Sequence, residues 1–197
     1  MADATEPTPG ATALLIIDMI NDLDFEGGEQ LAPPAIAAAD RIRALRDRSD
    51  AADVPVIYVN DNFGRWHAER SSIVDHCCRE GSRGAALIDA LRPRERDYFV
   101  VKPQFSGFYA TNLPVLLPQL GVSRLILTGV AADICVLFTA ADAHMRDYDL
   151  WVPEDTVASE RPEHLDWALE LMRKSMCAET AASCHLSLEA WLARAET

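Results

Sequence analysis

The apolar residues of this chain fall into short unbroken runs separated by amphipathic stretches. Residues 13–17 (ALLII), 56–59 (VIYV), 98–102 (YFVVK), 124–130 (RLILTGV) and 149–153 (DLWVP) are nearly all hydrophobic and are bounded by polar or turn-forming residues. Runs of this length without polar alternation predict strands buried on both faces, as in a parallel sheet covered by helices. Between the first two runs, Ile36, Ala39, Ile42, Leu45 and Arg46 recur at spacings of three and four while Asp and Arg fill the other face, which predicts an amphipathic helix over 35–48. Helices are also predicted over 113–120, punctuated by proline, and over 133–146, 162–176 and 186–194. Strand and helix alternate, so the predicted architecture is a three-layer α/β/α sandwich, Rossmann-like, around a mostly parallel sheet of about six strands. Residues 61–83 break the pattern: polar and aromatic, weakly periodic and containing Gly64 and Gly81, they are expected to cross the ligand-binding edge of the sheet as a loop.

Composition narrows the possible partners. The 197 residues are 49% hydrophobic and 25% charged, enough for one domain with a substantial core. Residues 11–197 are expected to form it, after a flexible tail over 1–10 rich in Pro, Thr and small residues. A formal net charge of -13 argues against nucleic acid and anionic membrane as partners, since both are held by Lys and Arg clusters. The apolar runs fall well short of the roughly 20 residues that span a bilayer, and the N-terminus lacks a basic segment followed by an apolar one, so a soluble, cytoplasmic protein is expected. Cys77, Cys78, Cys135, Cys177 and Cys184 are odd in number and irregularly spaced, which favours reduced thiols over a disulfide framework or structural zinc.

In an open parallel sheet, ligands bind beyond the carboxyl ends of the strands. Here the first run ends in Asp18, the second in Asn60 and Asp61, the third in Lys102, and the fourth leads through a short turn to Cys135. Each of these residues alone has an ordinary structural role; an Asp after a strand caps a turn, and a cysteine at a helix start is a small core residue. Together on neighbouring strand ends they form a nucleophilic unit. Cys135 is the candidate nucleophile, with a helix N-terminus and an ammonium both expected to favour its thiolate; Asp18 is the proton acceptor and donor, and Lys102 the group that holds the acid and stabilises negative charge. Backbone N–H groups at the helix mouth could receive an oxyanion, and Gly129 leaves room for the bend.

These residues carry a resemblance. LLIIDMINDL (14–23), VVKPQFSGFYATNL (100–113) and LTGVAADICVLFTAADAHMRDYDLWVPEDTVAS (127–159) resemble the isochorismatase-like cysteine hydrolases, a group that includes nicotinamidases, N-carbamoylsarcosine amidase and ureidoacrylate or biuret hydrolases. The resemblance implies a catalytic triad of Asp18, Lys102 and Cys135, an oxyanion hole from Ala131 and Cys135, a cis peptide between Val130 and Ala131, and a dimer or tetramer of identical chains, which Trp167 and Trp191 on the late helices would suit. Leu23, Asn62, Trp66 and Phe105 are the candidates for the substrate pocket, with Trp66 placed to stack on a planar substrate.

Departures from the family pattern bear on substrate and cofactor. Many nicotinamidases have Asp-x-x-x-Asp-Phe with a central Gln after the first strand; this chain has Ile20, Asn21, Asp22 and Leu23. Ala132 stands where many relatives have Thr. Nicotinamidases also hold a divalent metal through an Asp-Trp-His segment and a later His, whereas here Asp61 is followed by Asn62, Phe63 and Gly64, so no metal and no cofactor are expected even with His67 and His76 nearby. The isochorismatases that cleave a vinyl ether can dispense with the cysteine, so retention of Cys135 points to hydrolysis of a C–N bond in a small carboxamide or ureido compound. Vinyl ether hydrolysis with Asp18 as acid, and a non-catalytic binding or assembly module, are the competing readings.

Overall fold

The computed structural model describes residues 11–64 and 69–194; the expected tail over 1–10 lies outside the described residues. Six parallel strands form one sheet: β1 (Ala11–Ile17), β2 (Val56–Asp61), β3 (Tyr98–Lys102), β4 (Val122–Val130), β5 (Asp149–Trp151) and β6 (Val157–Ala158). The order is β3-β2-β1-β4-β5, and β6 pairs with the carboxyl end of β4 beyond β5. The chain therefore winds outward from β1 in one direction and from β4 in the other, which opens a crevice beyond the carboxyl ends of these two central strands.

The unbroken apolar runs have a simple cause. In β1, Leu14 and Ile16 enter one core cluster while Ala13, Leu15 and Ile17 enter the other, and in β2 Val56 and Tyr58 oppose Ile57 and Val59 in the same way. Alternation persists, but both faces are dry, so no polar residue marks it. One face is covered by α1 (Gly28–Ala51), α2 (Arg70–Cys77), α3 (Ala85–Leu91) and α7 (Leu188–Ala193); the other by α4 (Leu113–Gln119), α5 (Leu137–His144) and α6 (Pro162–Ser175). No helix among the described residues is long and apolar enough to cross a membrane.

Several expectations need correction. Helix α1 begins seven residues ahead of the predicted 35–48 and carries Pro33 and Pro34 inside it. Both prolines are exposed, as are Glu29 and Gln30, whose carbonyls lose their helical donors and face solvent instead. Ile36, counted toward the inward face, is exposed, and Leu31, Ala35 and Ala38 are buried in its place. Within 61–83, read as a loop, α2 buries Ile73, Val74 and Cys77 over eight residues, too short a span for its period to stand out. Its first turn is closed by the Glu69 N–H donating to Ser72 Oγ at 2.9 Å. Trp191 is core, its ring tilted against that of Trp151 with centroids 5.7 Å apart and lying under the Arg124 guanidinium, whereas Trp167 is 54% exposed.

A buried polar clamp holds the covered face in register. Arg46 on α1 donates to the Tyr58 hydroxyl (2.7 Å) and to the Arg92 carbonyl (3.2 Å), and Tyr58 donates to the Leu91 carbonyl (2.9 Å). The carbonyls at the end of α3 thus receive donors that the helix cannot supply. Close approach of β4 to β1 sets a second constraint. Gly129 has φ +113°, and a Cβ there would lie 2.0 Å from the Ile17 carbonyl oxygen. Gly129→Ala is expected to destabilise the fold by about 3 kcal/mol through strain and clash, read as a drop in the urea midpoint.

Candidate active site

The crevice between β1 and β4 is where the polar strand ends converge. Asp18 follows β1 directly and takes φ 52°, which turns the chain out of the strand. Its Oδ1 accepts the Asp61 N–H at 2.7 Å, and its Oδ2 lies 2.8 Å from Lys102 Nζ. Lys102 and Asp18 are not on neighbouring strands, as the sequence reading had them: β2 runs between, with Asp61 in register with Lys102, and the lysine side chain reaches across to β1. Lys102 is 0% exposed, and its ammonium also donates to the Gln104 carbonyl (3.2 Å) and to Cys135 Sγ (3.4 Å). Cys135 hydrogen bonds to Asp18 in turn. The acid, amine and thiol are thus mutually in contact.

Cys135 sits in a π-helical turn, Ala132–Val136, that precedes α5, rather than at the mouth of a regular α-helix. The Val136 N–H reaches back to the Ala131 carbonyl at 3.2 Å, five residues away, which widens the turn. The Val130–Ala131 peptide is cis. Thr139 holds the turn from beneath, its hydroxyl donating to the Cys135 carbonyl (2.7 Å) and accepting the Gly107 N–H (3.0 Å).

The electrostatics differ from the expectation of a ready thiolate. Burial pushes the Cys135 thiol well above the usual range, and the adjacent Asp18 carboxylate adds to the effect; Lys102 opposes both but does not outweigh them. Asp18 is itself raised by burial, with Lys102 pulling the other way. Burial alone would lower the Lys102 ammonium, but the Asp18 carboxylate, joined by Asp61, holds it above its ordinary value. The resting site is a protonated thiol beside a carboxylate of raised basicity that an ammonium holds in place. Such an arrangement suits proton transfer from thiol to carboxylate that is concerted with bond formation at sulfur.

A cleft of about 340 Å³ opens onto this triad, lined by Asp18, Cys135, Val130, Ala131 and Phe105, the last 51% exposed. Two of the other pocket candidates lie elsewhere. Leu23 is fully buried in the core, its carbonyl accepting from Arg83 at 3.1 Å. Asn62 is buried and turns its Oδ1 to the Gly64 N–H at 2.9 Å instead of the cleft. Trp66 and His67 fall outside the described residues. The sequence reading missed Asn21, Phe25, Leu31, Phe63, Ile134 and Glu160 as lining residues. Phe25 and Leu31 come from the start of α1 and the loop before it, whose early onset the proline pair concealed. Asn60, read as a rim residue, clamps the Ile20 backbone, accepting its N–H (3.1 Å) and donating to its carbonyl (2.8 Å).

Among the described residues, His76 and Asp61 are engaged by protein partners rather than turned toward a shared metal position. His76 Nε2 lies 2.9 Å from Asp22 Oδ2 beside Arg79, and Asp61 Oδ1 accepts the Phe63 N–H at 2.6 Å. Among the described residues no group of three or more His, Cys, Asp or Glu side chains is arranged to hold a metal ion.

Comparison with known proteins agrees with this architecture. The family model described as the isochorismatase domain matches residues 12–183. The chain is 41% identical over 167 residues to the uncharacterized isochorismatase family protein YaaI of Bacillus subtilis, covering 85% of this chain and 91% of that one. It is 28% identical to the ureidoacrylate amidohydrolase RutB of Agrobacterium fabrum, covering 81% of each. Among solved structures, N-carbamoylsarcosine amidase from Thermoplasma acidophilum superposes with a TM-score of 0.66 at 30% identity, covering 88% of this chain and 96% of that one.

The sign of the thiol shift can be checked directly. Asp18→Asn removes a negative neighbour and leaves the Lys102 ammonium facing the sulfur, so the Cys135 thiol pKa falls. The rate of iodoacetamide labelling at Cys135, followed against pH by mass spectrometry, is expected to rise at lower pH in the variant than in the parent. Movement to higher pH would instead show that Asp18 activates the resting thiol.

Proposed function

The chain belongs to the isochorismatase family of hydrolases, and from that premise we propose that it is a cysteine-dependent amidohydrolase, cleaving a C–N bond of a small carboxamide or ureido compound through a thioester at Cys135. The observation that carries the reading is the single Lys102 ammonium in contact with both Asp18 (2.8 Å) and Cys135 (3.4 Å) on the floor of the cleft. Relatives named as amidohydrolase and amidase support the same reaction class.

The chemistry follows from the protonation states. Sγ of Cys135 attacks the substrate carbonyl carbon as its proton passes to Asp18, forming the S–C bond and a tetrahedral oxyanion that the backbone N–H groups of Ala131 and Cys135 receive. The oxyanion collapses, the C–N bond breaks, and Asp18 returns the proton to the departing nitrogen. Ammonia or an amine leaves, and the acyl group stays on sulfur. Water then attacks the thioester, giving a proton to Asp18 that passes back to the leaving thiolate as the acid is released. Lys102 keeps Asp18 anionic and aimed before each transfer and offsets the charge that develops on sulfur.

Association into a dimer or tetramer is part of this reading, supported by the exposed apolar side chains of Phe138, Met145 and Trp167 along α5 and α6. A reducing, cytoplasmic setting is part of the same reading, supported by the odd number and irregular spacing of the five cysteines. Cys135→Ala is expected to lower ammonia release from a panel of small amides by on the order of 1,000-fold or more. Acid-quenched wild-type protein should carry an acyl adduct on the Cys135 peptide. Hydrolysis of a vinyl ether that survives in Cys135→Ala and is lost in Asp18→Asn would establish the acid-driven route instead.

A further inference from the structure

One carboxylate in the cleft has no part in the reaction described above. Glu160 follows β6 and lines the same cavity as Asp18, Asp61 and Cys135. Among the described residues no hydrogen bond or ion pair engages its side chain. Two features nevertheless build its position. A Cβ at Gly27 would lie 2.3 Å from the Glu160 carboxyl carbon, so the carboxylate packs there because residue 27 has no side chain. Gly27 is also the N-cap of α1, a helix of 24 residues, whose field favours a negative charge at that end. From the π-helical turn that carries the nucleophile, Asp133 accepts the Ser159 hydroxyl at 2.7 Å and contacts His164 Nδ1 at 3.1 Å. The residues on both sides of Glu160 are therefore pinned to the turn that holds Cys135.

Among the described residues the cleft is short of positive charge: Asp18, Asp61 and Glu160 line it, no described arginine does, and Lys102 is the one described cation in contact with these groups, already engaged by Asp18 at 2.8 Å. The remaining wall is largely apolar and includes Phe25, Phe63 and Phe105. Aromatic side chains beside an unpaired carboxylate form a surface that attracts a cation, and the same charges repel an anion. We propose that Glu160 is a specificity-determining residue that selects an amide or ureido substrate bearing an ammonium or guanidinium group remote from the scissile bond, and rejects amides bearing a carboxylate. The proposal rests on the amidohydrolase reading, with the reacting carbonyl at Cys135 and the cationic end at Glu160.

The test uses three matched series of four to six carbons: ω-amino primary amides, uncharged alkanamides, and the monoamides of dicarboxylic acids. Ammonia release by the full-length protein is expected to give kcat/KM about 10-fold higher for the cationic series than for the uncharged one, with the anionic series lowest. Glu160→Gln should reduce the cationic-to-anionic ratio by about 10-fold, mainly through KM, since the charge binds a part of the substrate that does not react. Glu163→Gln, which removes an exposed carboxylate outside the cleft, should leave the ratio as it was. An unchanged ratio in Glu160→Gln, or a wild-type preference for the anionic series, would overturn the proposal.

If no series is hydrolysed, the amidohydrolase reading fails, and charge selection is read separately by calorimetric titration of the same compounds. Tighter binding of the cationic series to Cys135→Ala, lost when Glu160→Gln is added, would support the assignment. Equal affinities, or no binding by any member, would refute it.

Discussion

The site depends on a buried ion pair between Lys102 and Asp18. An ammonium with no solvent exposure is tolerated only if its charge and its three hydrogens find partners. Lys102 finds the Asp18 carboxylate, the Gln104 carbonyl and the Cys135 sulfur. Because the lysine ends β3 and the aspartate follows β1, satisfying the charge requires that β2 lie between them in one register, with Asp61 beside Lys102. The Asp61 N–H then completes the coordination of Asp18. Sheet order and triad geometry are thus two consequences of one pairing.

The same burial sets the chemistry. Desolvation raises both Asp18 and Cys135, so the proton stays on sulfur while the carboxylate is a stronger base than an exposed one. A thiolate beside a carboxylate in a dry cleft would place two negative charges together with only one ammonium to offset them. In the proposed reaction, holding the proton until a substrate carbonyl accepts the sulfur avoids that state. The cost of the arrangement falls on the surrounding backbone, which is held by Asn60 on Ile20, by Thr139 under the π-helical turn, and by Gly129 where β4 meets β1.

Charge also separates the parts of the cleft. Lys102 is spent on the triad, while the outer lining combines phenylalanines with the unpaired Glu160. The carboxylate owes its place to an absent side chain at Gly27 and to the hold of Asp133 on residues 159 and 164. Asp133 belongs to the turn that bears Cys135, so the segment around Glu160 is hydrogen-bonded to that turn.

Much of the fold was legible in sequence because strands buried on both faces leave unbroken apolar runs, and five of the six parallel strands follow from them; β6, two residues long, leaves no run of its own. The polar residues that end those runs pointed to Asp18, Lys102 and Cys135, since side chains at the carboxyl ends of parallel strands share one rim whatever the strand order. Local pattern could not supply the order itself, so it missed the reach of Lys102 across β2. Two prolines hid the start of α1 and with it Phe25 and Leu31, and eight residues were too few to reveal α2. Leu23 and Asn62 were misplaced because residues beside a catalytic strand end can turn inward to the core or to their own backbone. Protonation of the thiol depended on burial by residues distant in sequence, and so did the place of Glu160, which becomes part of the site only where β6 closes against β4 and the amino end of α1. Sequence alone determined which chemical groups reach the rim; tertiary structure decided their order, their charge states and the walls around them, because each of these depends on contacts between segments far apart in the chain.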